Sequence, residues 1–311
     1  MQVGKDFWMV RIGVVGSIST DFVVEASRRP EQGETIFGAS FDTSFGGKGA
    51  NQAVASARLG AETFMVGAVG HDTFAERLLD NLKKEGINTD AVQNVSGVPS
   101  GSAVITLVEQ DNSIIYVAGA NDEVGPSDID DELVAGLDIV LVQNETPVAT
   151  IERLIDVCNE VDTPIIVNPA PARAMSEAYI EKVDYLTPNE SEFKMLFPGE
   201  SLESILKRYP NKLIVTLGSE GAVFFDGAAV QRIPAVDVQA VVDTTGAGDT
   251  FNGAFAFAVA SGLDLVEGVR FANLAGSLSI TKKGAQAGMP TLDALRLHDV
   301  FCSEWKLGGK K

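Results

Sequence analysis

Short runs rich in valine and isoleucine alternate with helix-patterned stretches along most of the chain, and this alternation restricts the fold more than any other feature. Residues 10–15, 63–69, 139–143, 165–168, 185–187 and 213–217 read as buried strands bounded by Gly, Pro or Asn. Between them, 49–59, 74–84, 148–159, 191–196 and 202–208 carry helical patterns. Such spacing predicts an α/β fold, a doubly wound, mostly parallel sheet flanked by helices on both faces. The carboxy-terminal third differs, with two long helices predicted over 246–261 and 265–282. Two regions break the rhythm. Residues 35–45 and 100–118 alternate like strands without intervening helices, and Glu109-Gln110-Asp111-Asn112-Ser113 reads as a polar hairpin turn. They predict a small antiparallel β-sheet serving as a lid, which acts by excluding water from a closed site. With no repeat or long linker in 311 residues, a single domain over 1–311 with an inserted lid is expected.

The charge balance restricts the partners. Against 43 Asp and Glu stand 24 Lys and Arg, a formal charge of −19. Duplex DNA and anionic membrane both require a basic face, so no nucleic acid or membrane partner is expected. An anionic small molecule is not excluded, because a pocket can be positive on an acidic protein. Solubility and adaptation to salt would both account for the acidity. Cys158 and Cys302 have no Cys or His at metal-ligand spacing and read as reduced structural thiols. No apolar run approaches the ~18 residues of a spanning helix. Residues 1–9 carry one Lys and no apolar core, so they do not read as a signal peptide. A cytoplasmic location is expected. His71 and His298 lack the neighbours that would make them catalytic.

The chemistry concentrates in Asp243-Thr244-Thr245-Gly246-Ala247-Gly248-Asp249-Thr250-Phe251-Asn252-Gly253, where two carboxylates bracket a Gly-Ala-Gly turn running into an apolar helix. A glycine turn opening a helix leaves backbone N–H groups unpaired, with the positive end of the helix dipole behind them. Such a place binds anions, phosphate above all. A carboxylate there is electrostatically expensive unless it takes a proton, so Asp249 reads as a base beside a phosphoryl group in transfer; a helix-capping Asp is the alternative. Earlier, Phe45-Gly46-Gly47-Lys48-Gly49-Ala50-Asn51-Gln52-Ala53 offers close backbone approach with Lys48 and Asn51 as donors, suited to a polyhydroxylated substrate. It lacks the spacer and the trailing Ser/Thr of a P-loop. Asp21, after the first strand, is placed to bind hydroxyls or is a turn residue. Asn189 and Glu192 in Thr187-Pro188-Asn189-Glu190-Ser191-Glu192 could hold water around Mg²⁺; alone they are an N-capping Asn with a solvated Glu. Thr216-Leu217-Gly218-Ser219-Glu220-Gly221 suits nucleotide phosphate or ribose, or a hairpin turn.

Gly-Gly-Lys-Gly-Ala-Asn-Gln early, Thr-Pro-Asn-x-x-Glu midway and Asp-Thr-Thr-Gly-Ala-Gly-Asp late resemble, in that order, the ribokinase family of carbohydrate kinases, from about residue 10 to 290. Ala118-Gly119-Ala120-Asn121, Asn168-Pro169-Ala170-Pro171-Ala172-Arg173 and Lys283-Gly284-Ala285-Gln286 are further matches. The resemblance implies ATP-dependent phosphorylation of D-ribose at its 5-hydroxyl, on an α/β core whose lid often forms a homodimer contact. It implies Asp249 as general base and the Gly246, Ala247 and Gly248 amides as an anion hole, where positioning and electrostatics do most of the catalysis. Asp21, Gly47, Lys48, Asn51 and Glu145 would hold the sugar. Asn189, Thr216, Gly218, Ser219, Gly221, Gly248 and Asn273 would line the nucleotide site. Asn189 and Glu192 would organise Mg²⁺ through water. Asp243, with carbonyls of Thr245, Ser279, Lys282, Gly284 and Gly288, would form a monovalent-cation site, normally for K⁺.

One position departs from the pattern. The family usually carries Asn two residues before the sugar-binding Asp, and this chain has Ser19. Serine offers one donor where the amide offers a donor pair and an acceptor. Losing one partner of a buried hydroxyl is worth about 1–3 kcal/mol, enough to favour a related sugar. A kinase for another sugar or a nucleoside is thus one alternative, though an aromatic content of 7% gives a nucleobase pocket little support. A non-catalytic sugar- or nucleotide-binding regulator is the other, and the intact Asp249, Lys48, Glu192 and Asp243 speak against it.

Overall fold

The computed structural model describes residues 9–308 except Gln110. The expectations for residues 1–8 and for the Gln110 tip of the hairpin lie outside the described residues. The central sheet has six strands, all parallel, and is built outward from β1 (Arg11–Val15). The chain leaves β1 through two strands of a second sheet, β2 (Ser19–Glu25) and β3 (Ser40–Gly46). It returns to lay β4 (Glu62–Gly70) and β5 (Asn88–Val95) on one side of β1. After β6 (Gly101–Val108) and β7 (Asp111–Val117) complete the second sheet, β8 (Ile139–Gln143), β9 (Ile165–Asn168) and β10 (Tyr185–Leu186) extend the first on the other side. An antiparallel trio, β11 (Ile214–Thr216), β12 (Ala222–Phe225) and β13 (Val230–Ile233), continues from the β10 edge through the bridges Leu186↔Leu213 and Asn189↔Thr216.

Alternate residues of each strand feed opposite faces, so the sheet has two cores. Ile139 and Leu141 point to the layer holding the Lys48–Arg58, Ala247–Ala260 and Leu265–Ser279 helices. Val140 and Val142 point to the layer of the Val148–Val161 and Leu202–Arg208 helices. Each such side chain, fully buried, contributes about 1.5–3 kcal/mol. The Ala247–Ala260 helix is apolar all round and buried over Asp249–Ala258, because it lies between two other helices. Its small residues permit the fit: a Cβ on Gly253 would come within 2.6 Å of the Ala55 Cβ.

Several boundaries differ from the sequence reading. Residues 19–25 form a strand that the sequence reading did not include, so Asp21 lies on β2 and not in a turn. Pairing in the 35–45 region begins only at Ser40. The second sheet, ordered β3-β2-β6-β7, has two antiparallel pairings and one parallel one, β2 with β6. Both of those strands leave the carboxyl edge of the parallel sheet, after β1 and β5, and therefore run the same way. The second long helix ends at Ser279. Among the described residues no helix is long and apolar enough to cross a membrane. The strand order turns at β1, with β4 on one side and β8 on the other. The crevice at the carboxyl ends of strands on either side of such a turn is where open α/β sheets bind ligands.

Candidate active site

The late glycine loop opens the Ala247–Ala260 helix. Gly246 caps it in the left-handed region at φ 78°, and a Cβ there would stand 2.9 Å from the Ala285 Cα, so glycine is required twice over. The Thr250 amide makes the first helical bond, to the Gly246 carbonyl (2.8 Å), while the Ala247 amide closes a turn onto the Thr244 carbonyl (3.2 Å). The Ala247 amide, one of the three expected in the anion hole, is thus already engaged by that turn. The first-turn amides of Gly248 and Asp249 remain without a helical acceptor, at the positive end of the dipole. Asn252 donates to the Gly248 carbonyl (2.8 Å) and accepts from the Thr187 hydroxyl (2.6 Å), which anchors the turn to the end of β10.

Asp249 is 6% exposed. Its Oδ2 accepts from the Asn51 amide at 2.8 Å and its Oδ1 from the Gln52 amide at 3.1 Å. Both partners come from the first turns of the Lys48–Arg58 helix, which follows β3 and packs its start against the loop after β1. There the Ala50 amide donates to the Ser17 carbonyl (2.9 Å). Gly47, at φ 89°, would bring a Cβ within 2.7 Å of that carbonyl oxygen. The half-buried Lys48 ammonium is held above its ordinary pKa chiefly by Asp249, against the opposing effect of burial.

Two further carboxylates stand beside Lys48. Glu145, from the end of β8, accepts from the Ser17 hydroxyl and from the Lys48 backbone amide (3.1 Å). Burial pushes its carboxyl up, against the pull of Lys48. Asp21 is pushed up to about 7, by burial first and then by the charges of Glu145 and Asp249. Ser19 is buried, and its hydroxyl lies 3.5 Å from Asp21 Oδ1. The register Asp21↔Ala103↔Tyr116 puts Tyr116 of β7 on the same face of the second sheet. Burial, and then Glu145, raise the Tyr116 phenol, which accepts from Asn121 (3.1 Å).

A cleft of ≈ 200 Å³ runs from Lys48 and Asp249 past Gly246 and Gly248 to Asn189, Glu192 and Thr216. Asn189 and Glu192 form a reciprocal cap: Asn189 Oδ1 accepts from the Glu192 amide (2.9 Å) and Glu192 Oε2 from the Asn189 amide (2.8 Å). Glu192 is therefore buried and not solvated, and burial pushes its carboxyl up. Gly218, Ser219 and Gly221 form the turn from β11 to β12, outside the lining of this cleft, closed by the Leu217 amide on the Gly221 carbonyl (2.7 Å). Asn273 donates to the carbonyls of Ile233 (2.9 Å) and Pro234 (3.1 Å), so its NH₂ braces the segment after β13.

Behind the glycine loop, Asp243 accepts from the amides of Thr245 (2.9 Å) and Gly284 (2.8 Å). Burial raises its carboxyl, but the bonds from Thr245 and Gly284 outweigh that and hold it below the ordinary range. The Ile280 carbonyl accepts from the Val242 and Asp243 amides, and Gly288 packs so closely on the Ser279 carbonyl that a Cβ would lie 2.1 Å from its oxygen. Asp243, Thr245, Ser279, Gly284 and Gly288 thus share one corner rich in carbonyls, with Lys282 exposed at its edge. Among the described residues no group of three or more His, Cys, Asp or Glu could hold a metal by side chains alone.

Sequence reasoning missed Ser17, Gln52, Tyr116, Asn168, Thr187 and Asn252 in this region. Gln52 and Asn252 lie inside quoted motifs, three residues from Gly49 and from Asp249, and that helical spacing was the available signal. Tyr116 depends on sheet register and had none.

Residues 9–292 match the pfkB family of carbohydrate kinases. The chain is 49% identical to a ribokinase of Bacillus subtilis, over 91% of this chain and 97% of that one. It is 50% identical to a ribokinase of Lactococcus lactis, over 93% and 96% of the two chains. The structure of Arabidopsis thaliana ribokinase complexed with ribose and ATP superposes with a TM-score of 0.85 at 35% identity, covering 93% of this chain and 98% of that one.

Proposed function

The chain belongs to the pfkB family of carbohydrate kinases, and on that premise we propose that it phosphorylates D-ribose with ATP at the 5-hydroxyl, giving ribose 5-phosphate and ADP. One observation carries the reading: a buried carboxylate and the free amides of a helix's first turn face the same cleft. A base and an anion site in the same helical turn are what phosphoryl transfer to a hydroxyl requires. The identity to ribokinases and the likeness to the ribose- and ATP-bound relative support ribose as the acceptor.

In this mechanism Asp249 takes the proton of the attacking hydroxyl as the new O–P bond forms and the bond to the ADP oxygen breaks. The amides of Gly248 and Asp249 face the charge that develops on the transferring group, and Lys48 adds a fixed positive charge. Asp21, Glu145, Asn51 and the Lys48 region hold the sugar hydroxyls, with Gly47 allowing the backbone to approach. The sheet of β2, β3, β6 and β7 carries Asp21 and Tyr116 on the sugar side and serves as the lid. Thr216, the 218–221 turn and the NH₂ of Asn189 serve the nucleotide, Asn273 by bracing its wall.

The donor set fits Mg²⁺ bound through water, because Glu192 lines the cleft with Asp249 and its cap uses only Oε2. When bound, the ion would neutralise phosphate charge. The corner of Asp243 and the carbonyls of Thr245, Ser279, Lys282, Gly284 and Gly288 fits K⁺. A cation held there would fix the shape and positive field of the glycine loop. On the far face of the lid, Phe41, Val104, Ile115 and Val117 are exposed (62%, 41%, 68% and 48%), which supports a homodimer through that sheet.

The test is ATP consumption across pentoses, hexoses and nucleosides. Robust turnover on D-ribose that Asp249→Asn lowers by about 10²–10⁴-fold is expected. Turnover on a different sugar alone would move the specificity to Ser19 and the lid. Sugar binding without ATP consumption would refute the kinase.

A further inference from the structure

Two chains of side-chain amides converge on the two oxygens of Asp249, and every donor in both points inward. In one, Asn81 Nδ2 donates to Gln286 Oε1 (2.8 Å), Gln286 Nε2 to Asn51 Oδ1 (3.0 Å), and Asn51 Nδ2 to Asp249 Oδ2 (2.8 Å). In the other, Gln143 Nε2 donates to Gln52 Oε1 (2.7 Å) and Gln52 Nε2 to Asp249 Oδ1 (3.1 Å). The polarity is forced from the ends. A carboxylate accepts only, so Asn51 and Gln52 must present NH₂ to it. Gln52 presents the same NH₂ to Asn168 Oδ1 (3.1 Å), and Asn168 is itself set by donating to the Thr187 carbonyl (3.0 Å). With those groups fixed, the outer amides can be satisfied only as donors.

Gln143 shows that this order matters beyond packing. It is fully buried in a strand otherwise built of Ile, Val and Leu, and its Oε1 has no partner among the described residues. An orphaned buried carbonyl is a cost to the fold, and an apolar side chain would serve the sheet better. What the amide supplies is the donor that orients Gln52. We infer that Gln143 and Asn81 are positioning residues, which act through Gln52 and through Gln286 and Asn51 to hold the Asp249 carboxylate in one orientation with both oxygens accepting. The inference rests on Asp249 being the base. It gives a function to Gln286, the last residue of the Lys283-Gly284-Ala285-Gln286 match, and to Gln143, which no motif marked.

The experiment uses the outer amides, neither of which lines the cleft or touches Asp249. Asn81→Asp puts an acceptor where a donor stands. Gln286 must then turn its NH₂ outward, and Asn51 is left to present its oxygen to Asp249. Gln143→Met keeps the volume and removes the donor to Gln52. Turnover at saturating ribose and ATP is measured from pH 5 to 9. The charged groups facing Asp249 are Lys48, Asp21, Glu145 and Glu192. They are common to all the proteins, and Gln143→Met adds no charge, so its difference from the parent isolates the relay; Asn81→Asp adds one carboxylate at the far end of its chain and is read beside it. The acid limb of kcat moves up by about one pH unit in each variant, a roughly tenfold loss near pH 6 that shrinks toward pH 9. The ribose KM of Gln143→Met stays within about twofold of the parent, as expected when only transition-state stabilisation is lost. An unmoved acid limb in folded variants, or an equal loss at every pH, overturns the inference; should Asn81→Asp not fold, Gln143→Met decides alone. Normal turnover in Asp249→Asn would remove the base itself, a result distinct from an unmoved limb when Asp249→Asn is inactive.

Discussion

Replacing Asp21 by asparagine removes a carboxyl that the folded protein strains to keep. In the unfolded chain that carboxyl titrates near 3.8, and in the fold burial, Glu145 and Asp249 push it up to about 7. Between those values the folded state holds a proton that the unfolded state has released. The folded state binds more protons there, so stability falls as pH rises. The native advantage is full below pH 4 and lost once the pH passes about 7. A shift of about three units at 1.36 kcal/mol each sets an upper bound of about 4 kcal/mol. Asparagine has no such titration. Relative to the parent, Asp21→Asn should therefore gain about 2–4 kcal/mol in unfolding free energy between pH 4.5 and pH 8. Urea unfolding at a series of pH values, without sugar or nucleotide, reads this directly. The same variant should bind ribose about 10–100-fold more weakly, since sugar hydroxyls lose their acceptor. A difference that stays flat across pH, or one that favours the parent at pH 8, would refute the picture of three crowded carboxylates beside one lysine.

Three further outcomes follow from the same geometry. Gly246→Ala must hold alanine at φ 78° against Ala285; stability should fall by about 1–3 kcal/mol, and kcat should fall more than the ribose KM changes. An unchanged melting temperature would contradict this. Ile115→Asp, on the exposed face of the lid, should lower the mass seen by light scattering to that of one chain at micromolar concentration, and a mass of two chains would place the contact elsewhere. Exchanging K⁺ for a bulky organic cation should reduce turnover and lower the melting temperature, with both effects lost in Asp243→Ala; insensitivity of the parent enzyme would remove the cation from the 243–288 corner.

The alternation of Val- and Ile-rich runs with helical stretches was enough to specify the layered α/β core, because strand and helix periodicities are local. Asp249 and its glycine turn were readable for a similar reason: carboxylate, turn and helix start are contiguous in the chain. Asn88–Val95 was not found, since an edge strand carries polar residues such as Asn88, Asp90 and Gln93 and loses the apolar signature. Ser19–Glu25 was hidden because it follows β1 too closely to suggest that the chain had entered another sheet.

By itself the sequence determined the layer architecture and placed a glycine turn at the start of a buried helix. Tertiary structure alone decided which way those groups point. Tyr116 joins Asp21 through strand register across three strands. Glu192 is buried by its cap. Gln143, Gln52, Gln286 and Asn81 come from four separate segments, and they become one hydrogen-bonded system only when the sheet and the helices close around Asp249. Local pattern records propensity and spacing along the chain, whereas hydrogen-bond polarity and the electrostatics of buried charges depend on distances that only packing sets.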